Sequence, residues 1–542
     1  MSPHVSRRGL LAGAGAAVLG GTLLSGCGSG SSGAALASGT LKLPTYTPLG
    51  KGDPDLPPVG LCRTEGYYRY PKDQFRSVSG TPASGGTISA LVAITAPPPK
   101  PRAQNAIWQA SEKAIGARMD LTMITQSDYK QRFTTTIAGD DIPDFVLFQK
   151  IANYAQLLQA KFADLSEFLG GDAVREYPNL ANIPTVCWQQ AAVGSKLYGL
   201  PLCRNGMQGP GLYHKEMFDE VGGYPKDADE FFAYLKELTR PSKNRWGIIG
   251  HSESAYSLKT ALMMFRAPLN WRLTNGKLVK DIETDEHREA VAYLRKLFRA
   301  GVFHPDSNAP NNRTKNLFNN GSAAVSCDTV TGLLGAVSNQ AKVNPTFQPR
   351  AMTPIGHDGK PAGVYQDFVI NSFAVLRRGS DKRIAELLRV ADYLAAPLGS
   401  VENQLLNYGE QGRTFTFDDR GIPQLTPDHV SDSPIPWGFI VNGPMQLFDA
   451  ENSDTVKWRY DGVKRLSTLD AVADPTVGQY SNTDATKGAA MTQTIMDTCT
   501  SIIAGRKPMS AYDEMVKQWR AGGGDTIRGE YEKSIEKSGV QR

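Results

Sequence analysis

The segment Thr87-Ile88-Ser89-Ala90-Leu91-Val92-Ala93-Ile94 is rich in β-branched and apolar residues and has no glycine or proline, the pattern of a buried strand. Ile107, Trp108 and Ile115 then recur at helical spacing within Arg102 to Ala117, and Met119 to Ile124 returns to strand character. Ser127 stands where it can cap a further helix that buries Phe133 and Ile137 and stops at Gly139, after which Asp144 to Phe148 reads as a third strand. Strand, helix, strand, helix, strand predicts a parallel-sheet lobe of an α/β protein. The lobe has neither GxGxxG nor GxxxxGKS/T, so it carries no dinucleotide or phosphate fingerprint. Ligands of open sheets sit beyond the carboxyl ends of the strands, which directs attention to the residues after Phe148.

Downstream the chain becomes helical. Asp227 and Glu230 form a capping-box-like start to a helix with Phe231, Phe232, Leu235 and Leu238 on one face. Asp285 and Glu286 sit at the positive end of another, which buries Val291, Leu294, Leu297 and Phe298, carries Arg295, Lys296 and Arg299 near its negative end and stops at Gly301. Asp381 opens a third with Ile384, Leu387, Leu388 and Ala391, and a last helix lies near Ala511 to Arg520. Upstream, Gly28 to Gly33 is a flexible Gly/Ser spacer. The proline-rich stretch through Pro54, Pro57 and Pro58 favours an extended surface path, with Tyr67, Tyr68 and Tyr70 available to pin it.

Arg7 and Arg8 directly precede an apolar Gly/Ala-rich stretch that ends in Leu24-Ser25-Gly26-Cys27. Too short and glycine-rich for a confident membrane span, this stretch resembles a bacterial twin-arginine signal fused to the lipobox of lipoproteins, whose cysteine is diacylated and becomes the first mature residue. The alternative is an ordinary secretory signal with a chance cysteine. The body is ordinary globular material, 40% hydrophobic and 21% charged. Residues 1–26 hold two arginines and no acidic residue, so their removal lowers the net charge from +5 to +3, too small a balance to suggest a nucleic-acid partner. After Cys27 come Cys62, Cys187, Cys203, Cys327 and Cys499. An odd number leaves at least one thiol unpaired, and no CxxC or Cys/His spacing suggests a metal. Cys187 and Cys203 either pair or stay buried as free thiols.

Three stretches resemble one family, the substrate-binding lipoproteins of carbohydrate ABC importers within the maltose-binding-protein superfamily. The first runs from Asn105-Ala106-Ile107-Trp108 through Phe133-Thr134-Thr135-Thr136-Ile137-Ala138-Gly139-Asp140-Asp141-Ile142-Pro143-Asp144. The second is Leu197-Tyr198-Gly199-Leu200-Pro201 followed by Gly211-Leu212-Tyr213-His214-Lys215-Glu216-Met217-Phe218. Third come Asn316-Leu317-Phe318-Asn319-Asn320-Gly321-Ser322-Ala323-Ala324-Val325, Gly505-Arg506-Lys507-Pro508-Met509 and Gly522-Gly523-Gly524-Asp525. In order and spacing the match spans residues 87–535, and Leu406-Asn407-Tyr408-Gly409-Glu410-Gln411-Gly412 is similar to the larger lipoprotein branch.

The resemblance implies a two-lobed, periplasmic-binding-protein-like α/β fold whose lobes are built from discontinuous segments around a central cleft, with closure by hinge bending. Crossings are expected near residues 203–210, 352–362 and 396–402. The implied division is a signal peptide, 1–26; a lipid-anchored tether and wrap, 27–84; a first lobe, 85–203 plus 355–400; and a second lobe, 204–354 plus 401–542. The implied function is capture of a sugar or oligosaccharide and its delivery to an ABC permease, by a monomer at the outer face of the cell membrane. It is held there through the lipid on Cys27 alone, with no cofactor and no metal.

Sugars present apolar CH faces and hydroxyl rings, so their sites combine aromatic platforms with planar polar groups. By family position, Gln149 and Lys150 follow the third strand, Arg204 follows Tyr-Gly-x-Pro, Tyr256 precedes a second-lobe helix and Asp328 follows the Ala-Ala-Val strand. The family often has an aromatic residue where Asp328-Thr329 stands, so Trp271 and Trp437 are candidates to replace that platform. The competing reading is a core anchor for each tryptophan and a solvated charge for Arg204 and Lys150. Both cations in the cleft would point to an acidic sugar. Asp140, Asp141 and Asp144 are clustered carboxylates such as a glycosidase needs, but they lie in a turn into a strand, where aspartate closes turns. No HExxH or GxSxG occurs. A surface glycosidase and a peptide-binding or adhesion lipoprotein of the same fold are the alternatives.

Cys27→Ala is expected to abolish acylation and normal processing, and Arg7→Lys with Arg8→Lys to impair export of the folded chain. Mass spectrometry that finds an intact, unmodified N-terminus in membrane fractions contradicts the lipid anchor.

Overall fold

The strand Thr87–Ile94 pairs in parallel with Arg118–Thr125 along its whole length and with Phe145–Leu147 on its other side. This computed structural model describes residues 41–538 apart from 96, 251–254, 310, 327–346, 431, 433 and 451. The expectations for the signal, the spacer, Cys27, Cys327 and Asp328 therefore lie outside the described residues. Between the parallel strands run the helices Ala106–Ile115 and Tyr129–Ala138, which bury Ile107, Trp108 and Ile115, and Phe133 and Ile137, as their spacing dictates. Ser127 is not the cap of the second helix. Asp128 holds that position, and the Ser127 hydroxyl pairs with that of Thr125 at 3.0 Å. The completed first-lobe sheet has the order Ala471–Val472, Val364–Leu376, Phe145–Leu147, Thr87–Ile94, Arg118–Thr125, with Gly199–Gln208 also paired to Val364–Leu376.

The second sheet has the order Trp246–Ile249, Ala323–Ser326, Leu212–His214, Pro349–Ala351. Its first pair is parallel and the others antiparallel. Ala228–Leu238, capped by Asp227 at 2.8 Å from the Glu230 N–H, and Asp285–Arg299, capped by Thr284, pack around it. They share one core with the C-terminal helices Ala489–Ile503, Ser510–Trp519 and Asp525–Ser538 through Phe231, Leu294, Ile502 and Trp519. The two-lobed α/β architecture is the expected one.

Two long antiparallel strands carry the chain between the lobes. Gly199, Leu200, Pro201 and Cys203 lie opposite Val375, Ala374, Phe373 and Ile370 within the first-lobe sheet. Three register shifts fall along the ladder between Phe373 and Tyr365, which ends with Gly206 opposite Phe368 and Gln208 opposite Tyr365. Such bulges bend and twist a strand pair. The bulged stretch overlaps 203–210. The second expected crossing is displaced: Met352 N–H donates to Gly211 at 2.8 Å and His357 N–H to Met264 at 2.9 Å, so 352–362 packs with the second sheet and the chain leaves it within Val364–Leu376.

The third crossing is also displaced from 396–402. Helix Val401–Tyr408 packs on Ala106–Ile115, and Trp437 stands edge-on to Trp108 at 6.3 Å, so apolar contacts keep 401–440 on the first lobe. Only after Asn442, whose backbone bonds to Pro201 and Cys203, does the chain reach helix Ser453–Ser467, whose Val463 and Leu466 join Leu212, Ile249 and Phe318 of the second lobe.

The segment 41–84 wraps the body without forming a helix. Leu56–Val59 pairs with Thr64–Tyr67, which runs parallel to Gln446–Phe448. Tyr67 and Tyr70 are buried, and Tyr68 packs on Leu447, Val456 and Tyr460. Cys62, Cys187, Cys203 and Cys499 are buried free thiols, so Cys187 and Cys203 do not pair. Cys187 faces Cys62, sulfur to sulfur at 3.8 Å. No described helix is long and apolar enough to cross a membrane.

A buried polar cluster ties the wrap to the first lobe. The N–H and hydroxyl of Ser77 both donate to Glu402 at 3.0 Å, and the Asn179 amide donates to Ser77 and to the Asp392 carbonyl. The Asp392 carboxylate accepts the N–H groups of Asn179 and Leu180 at 2.7 and 2.9 Å. Burial, assisted by Glu402, pushes that carboxyl up to about 7 against those two bonds. Unfolded, it titrates near ~4. Between these values the native state holds a proton that the unfolded state has released, so this group's contribution to stability falls as pH rises through the window and is level above it. Asp392→Asn is expected to shrink the loss of Tm between about pH 5 and about pH 8, and an unchanged loss contradicts the assignment.

Candidate ligand-binding cleft

A cavity of about 800 Å³ lies between the lobes, where the carboxyl end of Phe145–Leu147 faces the second lobe. The Phe148 N–H continues the ladder to the Phe373 carbonyl at 2.9 Å, and the two rings stack at 5.1 Å. The chain then leaves the sheet, and Gln149, Lys150, Ile151 and Ala152 form one wall with Tyr154, Gln126 and Gln190. Asn153 takes the left-handed conformation that turns the chain into the helix Tyr154–Lys161. Lys150 Nζ lies 5.9 Å from the centre of the Tyr154 ring. It is open to the water of the cleft yet hemmed in by protein, and that desolvation lowers its pKa while Asp484 and Asp474 pull the other way. The long strand Val364–Leu376 supplies the floor through Gln366, Asp367 and Asn371.

The opposite wall is aromatic. The hairpin Trp271–Thr274/Lys277–Lys280 presents Trp271, with the ring centres of Trp519 and Tyr531 at 5.8 and 6.2 Å. Two glycines make this possible. Gly523 has φ 134°, and a Cβ on Gly524 would come within 2.5 Å of the Trp519 ring. The Gly522-Gly523-Gly524-Asp525 motif is therefore the turn that lays the last helix against Trp519. Asp474 accepts the N–H and hydroxyl of Thr476 at 2.9 and 2.7 Å and the Asn270 amide at 2.9 Å. Burial pushes its carboxyl up despite those bonds. Asp484 accepts the Tyr531 hydroxyl at 2.7 Å. The lobes touch beside the cavity, where the Asn153 N–H meets the Ala485 carbonyl at 3.1 Å and the Gln156 amide meets the Tyr480 hydroxyl at 3.3 Å.

Of the residues expected to touch a ligand, the structure brings Gln149, Lys150 and Trp271 together. Arg204 does not line the cavity. It folds back along its strand and donates to the Cys203 carbonyl at 2.9 Å. Tyr256 is a core residue, because the left-handed run Ala255-Tyr256-Ser257 turns its ring inward to Phe298 and Phe303 at 5.3 and 5.4 Å. Trp437 is buried against Trp108. Sequence reasoning missed Tyr154, Asp474, Asp484, Trp519 and Tyr531. Trp519 had a signal, a tryptophan at the end of a helix just before the triple glycine; the two aspartates had none.

The carboxylates considered for hydrolysis do not converge. Asp144 lies at the far end of its strand from the cleft and accepts from Ser89 at 3.0 and 3.2 Å and from Arg383 and Arg377 at 3.0 and 3.3 Å. Burial pushes its carboxyl up, but these partners outweigh it and hold the pKa below the usual range. Asp140 and Asp141 are exposed. Among the described residues no cluster of three or more His, Cys, Asp or Glu side chains is placed to hold a metal.

A family model described as bacterial extracellular solute-binding protein matches residues 106–375. The polygalacturonan/rhamnogalacturonan-binding protein YtcQ of Bacillus subtilis (strain 168) is 22% identical over 464 residues, 81% of this chain and 89% of that protein. Lipoprotein LipO of the same strain is 23% identical over 85% of this chain and 95% of its own. The N-glycan transport solute-binding protein NgtS of Streptococcus pneumoniae, solved in complex with Man1GlcNAc, superposes with a TM-score of 0.58 over 84% of this chain and 100% of that one at 15% identity, a likeness of fold.

Gly524→Ala is expected to displace the Trp519 ring and cost about 1–3 kcal/mol through overpacking, read as a lower Tm together with an altered near-ultraviolet tryptophan signal. An unchanged spectrum and Tm contradict this account of the aromatic wall.

Proposed function

The chain belongs to the bacterial extracellular solute-binding proteins, and from that premise we propose that it captures an oligosaccharide in this cleft and delivers it to the permease of an ABC importer. The observation that carries the reading is the wall of Trp271, Trp519 and Tyr531 facing the amide- and lysine-bearing wall of Gln149, Lys150 and Tyr154. The aromatic side chains offer apolar patches to sugar CH groups, and the amides can donate and accept in pairs to neighbouring hydroxyls. A ligand that touches both walls binds the closed form more tightly than an open one, and that difference drives closure about the bulged strand pair.

The relatives support this reading, since YtcQ is named for binding polygalacturonan and rhamnogalacturonan and the NgtS structure holds a glycan. LipO, named a lipoprotein, supports a lipid anchor; the Leu24-Ser25-Gly26-Cys27 sequence assigns that anchor to Cys27 at the outer face of the membrane, and Arg7-Arg8 assigns export to the twin-arginine route. In this reading the protein is a monomeric binder without cofactor or catalysis; the separation of Asp144 from the cleft speaks only against a hydrolase built on that carboxylate.

An oligosaccharide at about a hundred times its Kd is expected to stabilise the protein by about 2.7 kcal/mol. Trp519→Ala is expected to weaken that binding by about tenfold to a hundredfold, or about 1.4 to 2.8 kcal/mol, in isothermal titration. The sugar is recovered intact. Release of reducing ends, or unchanged affinity in the Trp519 variant, contradicts the reading.

A further inference from the structure

The charge of the cleft narrows the ligand class. Two cations and three carboxylates line it among the described residues: Lys150, Lys280, Asp367, Asp474 and Asp484. Lys280 is already paired with Asp281 at 2.6 Å, and Asp367 with Lys259 at 2.5 Å. Lys150 then shares the cavity lining with Asp474 and Asp484. The described lining includes no arginine, the side chain whose planar fork grips carboxylates in pairs. It includes instead five glutamines and two asparagines, groups that bind hydroxyls without favouring a charge.

Resting on the oligosaccharide-binding reading, we propose that the ligand is a neutral oligosaccharide and that Asp484, with Asp474, discriminates against uronates. Asp484 balances the ammonium of Lys150, so among the described residues no positive excess remains to meet a chain that carries a carboxylate on every sugar. A uronate placed here would lose its hydration and stand close to a fixed carboxylate, whereas a neutral sugar would find in the same oxygens acceptors for its hydroxyls. The expectation of an acidic ligand required Arg204 beside Lys150, and Arg204 is elsewhere. YtcQ is named for acidic pectic polymers, so the inference separates this chain's ligand from that of its relative.

The test is isothermal titration of the full chain, purified in detergent, with matched tetrasaccharides that differ in charge. Galactotetraose, glucotetraose and mannotetraose are compared with tetragalacturonate, tetraglucuronate and tetramannuronate. At least one neutral sugar is expected to bind at least tenfold more tightly than its uronate counterpart. Asp484→Asn is expected to narrow that gap by at least threefold, and circular dichroism confirms that the variant is folded. For wild type alone, added salt is expected to narrow the gap as well, which keeps the proposal testable if the variant does not fold. A uronate that binds as tightly as its neutral counterpart, or more so, overturns the neutral-ligand proposal and leaves the sugar-binding reading intact. Failure of every sugar of both kinds to bind overturns the sugar-binding reading and the proposal with it.

Discussion

The antiparallel pairing of Gly199–Gln208 with Val364–Leu376 is the constraint on which the rest of the structure depends. One end of this ladder is part of the first-lobe sheet, and the other runs into the second lobe, where the Tyr365 hydroxyl bonds to the Ala267 carbonyl at 3.0 Å. Its position fixes where the two cleft walls stand. The three register shifts between Phe373 and Tyr365 interrupt regular hydrogen bonding and bend the pair, while Gly199, Leu200 and Pro201 stay in regular register with Val375, Ala374 and Phe373 at the first-lobe end. Between the ends, Gln366 and Asn371 project as the floor of the cavity, so the element that joins the lobes also touches what they enclose.

The cleft divides its chemistry between the lobes. The first supplies side chains on a loop beyond a buried strand, held by the stack of Phe148 on Phe373. The second supplies rings whose mutual edge contacts fix them before any ligand arrives. Trp271 and Trp519 are almost fully buried, at 5% and 6% exposure, so the platform is rigid and little ordering is left for binding to offset. Lys150 is different. It has no short ion pair among the described contacts, only the Tyr154 ring beside it and the pull of Asp484 and Asp474.

Much of the first lobe was legible because its signals are local. Period-two and period-3.6 patterns place Thr87–Ile94 and the helices around Ile107 and Phe133, and the strand-end rule leads to Gln149 and Lys150. Residues 401–440 were misplaced because their lobe is decided by contacts such as Trp437 on Trp108, which no local pattern encodes. Arg204 and Tyr256 failed for a related reason: family position gives the neighbourhood of a side chain, but backbone conformation decides its direction. Asp484 reaches the cleft through the C-terminal helices, where it meets Tyr531, and Asp474 through the pairing of Ala471–Val472 with Val364–Leu376, so their chemistry is visible in three dimensions alone.

Hydrogen–deuterium exchange of the full chain with and without a bound oligosaccharide tests the two-walled cleft most directly. The account predicts that ligand slows exchange together in 148–154, in 474–488, in 519–531 and along the bulged part of 364–373. Protection confined to one lobe, or centred on the surroundings of Arg204, Tyr256 or Trp437 and absent from these segments, would contradict it.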